Sequence, residues 1–287
     1  MWQSIAEQVS RTLDTPFIIH ERMALSKEPD ARRMVISDGQ LQLFVKLAPR
    51  AQLEQQEAEF HSLQALRQYE VLSLPRPLCC GTAGEHAFLA LEYHPLHEGD
   101  NAEWAELGAS LARLHRCDEQ AMYGWDEDNF LTTTPQPNRW HKQWAPFFAE
   151  QRIGWLLQLL GEKERFQCDI DGIVEIVTRR LAHHHPKPSP LHGELWLGNV
   201  GFTRNGGMVF DPASYYGDRE TDLAMTELFG RFPEAFYQGY DTVWPRDAGY
   251  ESRKELYNLY HRLNHFAQFG ESHRHQAETA LQQLLAC

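Results

Sequence analysis

The sequence predicts an α+β protein of two lobes: a small amino-terminal lobe, residues 1–94, with an antiparallel sheet and a helix, and a larger, mostly helical carboxy-terminal lobe, residues 95–287. Short apolar runs flank Asp38-Gly39 in the first half, which is a strong hairpin signal. In the second half, apolar residues recur at helical spacing. A chain of 287 residues is long enough for two lobes but too short for several independent domains.

The amino-terminal lobe is predicted to contain three strands and one helix. The first two strands, 34–37 and 41–46, lie on either side of the hairpin turn. A helix from about 51 to 69 follows, because apolar residues recur there at helical spacing: Leu53, Phe60, Leu63 and Leu66. Two prolines are predicted to end this region, Pro75 and Pro77. The third strand is predicted at 86–93.

The carboxy-terminal lobe is predicted to be helical with one embedded hairpin. An amphipathic helix is marked by Trp104, Leu107, Leu111 and Leu114. Further helices are predicted over 155–160 and 170–182, near Thr221 and after Glu251. The apolar runs 199–202 and 208–210 are joined by a turn that contains Asn205, Gly206 and Gly207, which is typical of a hairpin.

Composition and charge exclude several classes of protein. No stretch approaches the ~20 apolar residues of a membrane span, and the polar amino terminus does not resemble a signal peptide. The net charge of −13 argues against nucleic acid or an anionic membrane as the main partner. Five irregularly spaced cysteines, two of them adjacent, predict free thiols in a reducing compartment. We therefore expect a cytoplasmic protein that binds neither nucleic acid nor membrane.

The densest group of polar residues predicts a catalytic loop. Glu194 and Asn199 lie five residues apart, and Asp211 follows the next predicted strand. Phosphoryl transfer needs a carboxylate to accept the hydroxyl proton, and an Asn and an Asp to hold Mg²⁺ on the phosphates. The catalytic loop of protein kinases has the same spacing. Asp-Pro and Asn-Gly sequences also occur in ordinary turns, but this order of residues favours the catalytic interpretation.

The amino-terminal lobe supplies complementary residues. Lys46 ends a predicted strand, and Glu57 and Glu59 lie on the following helix. Kinases position the ATP phosphates with a strand lysine held by a helix glutamate. A hinge that could bind adenine through its main chain follows the third strand: Glu92, Tyr93 and His94. Exposed Lys and Glu are common, but the order of all these parts predicts a protein-kinase-like fold.

Longer strings resemble one family, the fructosamine kinases or ketosamine-3-kinases, in the aminoglycoside-phosphotransferase branch of this fold. The signature strings are His192-Gly193-Glu194-Leu195-Trp196, Gly198-Asn199 and Phe210-Asp211-Pro212-Ala213. The resemblance covers nearly the whole chain and includes 133–138, 148–155, 215–220 and 263–265.

The resemblance implies an activity: ATP-dependent phosphorylation of a sugar hydroxyl on a small or protein-bound ketosamine. Phosphorylation makes the adduct labile and frees the amine, which is a deglycation or repair reaction. It also implies roles for individual residues. Glu194 would be the catalytic base, and Asn199 and Asp211 would bind Mg²⁺. The other roles are phosphate binding by Lys46, orientation of that lysine by Glu59, contact with the sugar by Trp196 and His265, and support of the loop by His192 and Asp222.

Two departures from the family pattern bear on catalysis. The family normally has aspartate at position 194, where this chain has glutamate. The family also has glycines in the turn between its first two strands, whereas 25–33 contains none here. Side-chain charge from Lys27, Arg32 or Arg33 could replace the missing phosphate contacts, although we favour a mobile polar turn.

The leading interpretation is thus a cytoplasmic ATP:ketosamine kinase. A phosphotransferase for another small alcohol or amine is the second interpretation. The third is a nucleotide-binding protein with weakened catalysis, which position 194 and the glycine-free turn leave open. The sequence fixes neither the oligomeric state nor the natural amine and sugar.

Overall fold

The computed structural model describes residues 1–25, 32–117 and 120–286, and it confirms the predicted α+β class. The amino-terminal lobe contains an antiparallel five-stranded sheet in the order β1-β2-β3-β5-β4. Its strands are β1 (Glu21–Ala24), β2 (Arg33–Ser37), β3 (Gln42–Pro49), β4 (Pro77–Ala83) and β5 (His86–Glu92).

The predicted hairpin forms between β2 and β3. The Asp38 carboxylate accepts hydrogen bonds from the N–H groups of Gln40 and Leu41, at 2.9 and 2.8 Å. Gly39 has a φ of 93°, which glycine adopts without strain. Strand β5 also confirms its prediction. Strand β4 was not predicted, and it begins at Pro77 itself; an edge strand tolerates proline at its first residue, because that residue need not donate to the ladder.

Two helices cover opposite faces of this sheet, α1 (Trp2–Leu13) and α2 (Leu53–Arg67). Successive side chains of β5 alternate between the two faces. Phe88 and Ala90 join a cluster that includes Ile5 and Val9 of α1, whereas Leu89 and Leu91 join one that includes Leu63 and Leu66 of α2. The second cluster continues into the carboxy-terminal lobe. Helix α1 was not predicted, and the lobe boundary at residue 94 stays a prediction.

The carboxy-terminal lobe consists mainly of helices. They are α3 (Asn101–His115), α4 (Trp144–Phe148), α5 (Trp155–Glu162), α6 (Ile170–Leu181), α7 (Glu220–Leu228), α8 (Glu234–Val243), α9 (Tyr250–Phe269) and α10 (Glu271–Ala286). A π-helical segment, Ala149–Gly154, continues α4 into α5. Among the described residues, no helix has both the length and the apolar character needed to cross a membrane.

Three short antiparallel pairs lie among these helices. They are β6 (Asn129–Leu131) with β7 (Thr134–Gln136), β8 (Ser189–Leu191) with β11 (Tyr215–Gly217), and β9 (Val200–Thr203) with β10 (Gly206–Val209). The β9–β10 hairpin was predicted, and the other two pairs were not. Helices α3, α5, α6, α7 and α9 lie where the sequence predicts helices.

Helices α3 and α8 cross with their backbones in close approach. A Cβ atom on Gly239 would lie 1.8 Å from the main-chain oxygen of Ala105, and one on Gly108 would lie 2.0 Å from that of Phe236. No side chain fits at either position without separating the helices. Glycine is therefore required on both sides of this crossing.

We expect Gly239→Ala to lower the free energy of unfolding by about 3 kcal/mol, because the new methyl group must push two helix backbones apart. Alanine in an open helix position has the opposite effect and stabilises by about 0.5–1 kcal/mol. Gly161 on α5 provides the control, since its nearest neighbour would be 3.6 Å from the new Cβ. Urea denaturation of Gly239→Ala and Gly161→Ala measures both changes. Equal stabilisation of the two variants would contradict the close crossing.

Candidate active site

A buried lysine joins the two lobes. Lys46 on β3 donates to both carboxylate oxygens of Glu59 on α2, at 2.7 and 2.8 Å. It also donates to Asp211, which follows β10, at 2.6 Å. The side chains of Lys46, Glu59 and Asp211 are only 12%, 15% and 25% exposed, respectively. The structure thus brings together three predicted site residues, and Glu59 rather than Glu57 is the partner of Lys46.

One ammonium group in this cluster serves two carboxylates. Burial raises the pKa of Glu59 to about 7, even though Lys46 pulls it down. Burial would also raise the pKa of Asp211, but Lys46 and, more weakly, Arg33 hold it below its ordinary value. The lysine itself keeps a raised pKa, because its two partners outweigh its desolvation. Asp211 is therefore the carboxylate that stays ionised.

Asp222 holds the main chain of the predicted catalytic loop. This residue lies in the first turn of α7, and its carboxylate accepts hydrogen bonds from the N–H groups of His192 and Gly193, both at 2.8 Å. Gly193 has a φ of 83°, and a Cβ atom there would lie 2.0 Å from the oxygen of Ala213. His115 on α3 contacts the same carboxylate at 3.1 Å. The loop is thereby fixed to the core of the helical lobe.

His192 joins this loop to the chain segment that carries Asp211. Its Nδ1 accepts the N–H of Glu194 at 3.3 Å, so its Nε2 carries the proton and donates to the carbonyl of Phe210 at 3.1 Å. Burial lowers the pKa of His192, which favours this neutral form. The imidazole therefore connects the two predicted functional segments.

Glu194 and Asn199 lie beside Asp211. The amide nitrogen of Asn199 donates to the main-chain oxygen of Glu194 at 2.8 Å, which leaves the amide oxygen on the opposite side of the group. Asp211 and Asn199 line one cavity, where their oxygen atoms fit a hard cation such as Mg²⁺. The Glu194 carboxylate accepts a hydrogen bond from Thr132 at 3.2 Å. Burial, together with the nearby charge of Asp211, raises the pKa of Glu194 to about 8.

Two cavities meet at this charged cluster. The hinge cavity has a volume of about 540 Å³ and is lined by Phe44, Leu91, Tyr93, His94, Met208 and Phe210. The Glu194 cavity has a volume of about 410 Å³ and is lined by Glu59, Thr132, Glu194, Trp196 and Asn199. Three residues line both: Arg33, Lys46 and Asp211. The cluster therefore lies between a mostly apolar space and a polar one.

The predicted hinge lines the first cavity. The N–H groups of Glu92 and Tyr93 are already engaged, with the carbonyl oxygens of Arg76 at 2.9 Å and Gln42 at 3.2 Å. These two groups continue the pairing of the sheet. A ligand in the hinge cavity would therefore have to use the next residue, His94, as its main-chain donor.

The two predicted sugar-contacting residues have different positions. Trp196 lines the Glu194 cavity, and its ring centroid lies 6.2 Å from that of Phe229. His265 stacks on this same Phe229 ring, with the ring centroids 4.1 Å apart, and it is not among the described residues that line either cavity. Burial lowers the pKa of His265 to about 4. The structure thus places His265 one aromatic ring away from Trp196.

Sequence reasoning missed one wall of the Glu194 cavity. The β6–β7 hairpin contributes Asn129, Phe130, Thr132 and Thr133 to it. Thr132 has a φ of 55°, and a β-branched residue rarely adopts that conformation. Such strain costs of the order of 1–3 kcal/mol and often marks a functional position. A strand of three residues is too short to show an alternation of apolar and polar residues. The sequence feature that could have indicated this hairpin is the run of threonines before Pro135.

Part of the glycine-free turn can be placed. Residues 26–31, including Lys27, lie outside the described residues. Arg32 and Arg33 line the Glu194 cavity. The guanidinium of Arg33 lies 3.8 Å from Asp211, although its side chain is 63% exposed. Arg33 is therefore the described cation of this segment that reaches the charged cluster.

Comparison with known proteins identifies the family. The sequence model of the family described as fructosamine kinase matches residues 1–287. The chain belongs to the fructosamine kinase family. It is 46% identical over 287 residues to a protein of Vibrio parahaemolyticus named probable ketoamine kinase, and the match covers 100% of both chains. The resemblance predicted from the signature strings is thereby confirmed.

Solved structures agree with this fructosamine kinase assignment. The crystal structure of a protein of Haemophilus somnus 129PT, named putative fructosamine-3-kinase, matches with a TM-score of 0.93 and 34% identity over 99% of this chain and 98% of the other. The aminoglycoside phosphotransferase APH(4)-Ia, in complex with AMP-PNP and hygromycin B, matches with a TM-score of 0.64 and 14% identity over 99% and 97%. The second match shows the kinase-like fold alone. Family and fold together make this fructosamine kinase family member a phosphotransferase.

We expect Lys46→Met to destabilise the protein in a pH-dependent way. Without the ammonium group, burial and mutual repulsion raise the folded-state pKa values of Glu59 and Asp211 above their unfolded values. The loss of stability then grows as the pH rises above the unfolded-state pKa values, because the folded variant keeps the two groups protonated where the unfolded chain ionises them. At pH 8 we expect a loss of about 3 kcal/mol in the free energy of unfolding.

Urea denaturation between pH 5 and pH 8 measures this effect. Lys142→Met, at an exposed position, is the matched control and should show no such pH dependence. A loss of stability in Lys46→Met that is the same at every pH would show that Lys46 does not neutralise the two carboxylates.

Proposed function

We propose that this protein is an ATP-dependent kinase that phosphorylates a sugar hydroxyl of a ketosamine. One observation carries the proposal: the described residues Lys46, Glu194, Asn199 and Asp211 converge where the hinge cavity meets the Glu194 cavity. A phosphate donor in the first cavity and an alcohol in the second would then meet at this charged group, as phosphoryl transfer requires.

The hinge cavity suits the adenosine end of ATP. Its apolar walls, which include Phe44, Met208 and Phe210, can enclose a purine ring. We assign the main-chain N–H of His94 to adenine, since Glu92 and Tyr93 donate within the sheet. The phosphates would extend toward Lys46. This use of ATP is why we also propose a cytoplasmic location.

The oxygen atoms of Asn199 and Asp211 would hold Mg²⁺ on the phosphates, which neutralises charge during transfer. Asp211 is suited to this role because its pKa is held low, so it remains an anion. The bond from the Asn199 amide nitrogen to the Glu194 carbonyl keeps the amide oxygen available. Asp222 and His192 keep the loop in the geometry that these roles need.

Glu194 would accept the proton of the attacking hydroxyl group. Its carboxylate lines the Glu194 cavity with Asn199 and Asp211. Burial has raised its pKa to about 8, and general bases work best when their pKa lies near the working pH. Trp196 provides a flat apolar wall beside it, on which a sugar ring can pack.

Family membership supports the proposed substrate class. A curated relative is named probable ketoamine kinase, and a similar solved structure is named putative fructosamine-3-kinase. A ketosamine carries its amine on the carbon beside the keto group, and the third sugar carbon lies on the other side of that group. A phosphate on the third carbon would be a leaving group, and its elimination followed by hydrolysis of the carbon–nitrogen bond would release the free amine. The enzyme would then act in deglycation or repair. Both small and protein-bound ketosamines belong to this class.

An ADP-release assay tests the proposed function. Fructosamines and ribulosamines should give Mg²⁺-dependent turnover, while choline and an aminoglycoside should not. Glu194→Gln keeps the shape but removes the base, and we expect a loss of at least ~10²-fold. Glu194→Asp should retain activity, because it keeps the same chemical group. A protein that is inert on every ketosamine while Glu194→Asp is active would instead be a weakened enzyme.

We also expect Arg33 to contribute to ATP binding. Arg33→Gln removes the cation that lies 3.8 Å from Asp211, and the KM for ATP should rise about five- to tenfold. The kcat at saturating ATP should change little, since the lost contact is made before the chemical step. Arg11→Gln, on the exposed side of α1, is the control. Steady-state kinetics in which both variants behave alike would remove Arg33 from the site.

A further inference from the structure

The β6–β7 hairpin is tied at its base to the segment that follows Asp211. Asn129 donates to the carbonyl of Ser214 at 2.7 Å. Gln136 donates to Asn129 at 2.7 Å and to the carbonyl of Ala213 at 3.2 Å. Tyr260 on α9 donates to Gln136 at 2.8 Å. The position of the hairpin relative to Asp211 is therefore set by buried hydrogen bonds.

The tip of the hairpin is held as well. Gln268 on α9 donates to the carbonyl of Leu131 at 2.6 Å and to the hydroxyl of Thr134 at 3.1 Å. These two residues flank the two-residue turn that contains Thr132. The turn is thereby fixed by a helix of the carboxy-terminal lobe, even though Thr132 itself is exposed. The main chain at Thr132 therefore has a fixed position relative to α9.

Beyond the turn, a buried arginine secures the chain that leaves β7. Arg152 donates to the side chain of Asn138 at 2.6 Å and to the carbonyl of Pro137. Its guanidinium lies 4.1 Å from the ring centre of Tyr215. In the part of the chain that the structure describes, Arg152 contacts neutral oxygen atoms and aromatic faces. A planar guanidinium can donate hydrogen bonds to such oxygens and stack on such faces at the same time.

Thr132 uses this fixed position to hold Glu194. Its hydroxyl donates to the Glu194 carboxylate at 3.2 Å, across 62 residues of sequence. The strained φ of 55° persists at a β-branched residue because the flanking residues are held from α9. Valine would have the same shape without the donor, so the hydroxyl is the group to test.

We propose that Thr132 is a positioning residue that fixes the carboxylate of Glu194 toward the acceptor hydroxyl. The inference rests on the proposed role of Glu194 as the base. Glutamate has one more rotatable bond than aspartate, so its carboxylate explores more positions. A hydrogen bond from a rigid tip removes that freedom and aims the group. The same bond would be out of reach for the shorter aspartate.

The test compares Thr132→Val, Thr132→Ser and Thr132→Gly in the natural protein and in Glu194→Asp. In the natural protein, Thr132→Val and Thr132→Gly should lower kcat about tenfold with an unchanged KM for ATP, and Thr132→Ser should stay within about twofold. In Glu194→Asp, Thr132→Val should have no effect, because the partner is out of reach. Thr132→Gly should also keep or raise the thermal unfolding midpoint, because it relieves the positive φ.

Three activity results would overturn the inference. They are full activity of Thr132→Val, equal impairment of Thr132→Ser and Thr132→Val, and the same loss of kcat in the Glu194→Asp background. A fall in stability that parallels the fall in activity of Thr132→Gly would indicate a structural role instead. Glu194→Gln separates the two proposals: if it stays active, the base assignment fails, and if it is inactive while Thr132→Val is normal, only the present inference fails.

Discussion

The structure depends on one constraint: a single buried ammonium group must neutralise carboxylates from two lobes. Lys46 reaches Glu59 on α2 and Asp211 beyond β10 only because the register of β3 and the packing of α2 against β5 place all three within hydrogen-bond distance. Buried charges are tolerated when they are paired and hydrogen-bonded. The same cluster lies between the two cavities, so the requirement that stabilises the lobe interface would also define where the phosphates of the proposed ATP lie.

The helical core fixes the conformation of the predicted catalytic loop. Asp222 fixes the main chain at positions 192 and 193, His115 contacts Asp222, and Tyr240 on α8 contacts His115 at 2.9 Å. His115 and Tyr240 lie on the two helices whose backbones touch at glycines. The distance between α3 and α8 thus sets the position of an imidazole, then of a carboxylate, and finally of the loop that carries Glu194. Helix packing and loop geometry form one connected system.

The sequence predicts those parts of the fold that have a local signature. The β2–β3 turn, the periodic helices and the spacing between Glu194 and Asn199 are all encoded within a few residues. Strand β4 was missed because a proline at its first residue resembles a terminator, and β6–β7 because three-residue strands have no period. The order of elements predicts that Lys46 pairs with a glutamate of the next helix, but it leaves Glu57 and Glu59 open, and the structure decides for Glu59. The bond between Thr132 and Glu194 does not follow from the order of elements, because it depends on how α9 holds the hairpin.

The hinge cavity and the Glu194 cavity meet at the charged cluster around Lys46 and Asp211. This arrangement has a consequence for the design of inhibitors. A molecule that joins adenosine to a ketosamine through an anionic bridge would occupy both spaces, with the bridge beside Lys46 and Arg33. Linking the two ends makes the second binding event intramolecular, so the affinity can exceed that of either half. The adenosine half would suit many kinase-like enzymes. Selectivity would therefore come from the sugar half, which would contact Trp196 and the tip of the β6–β7 hairpin.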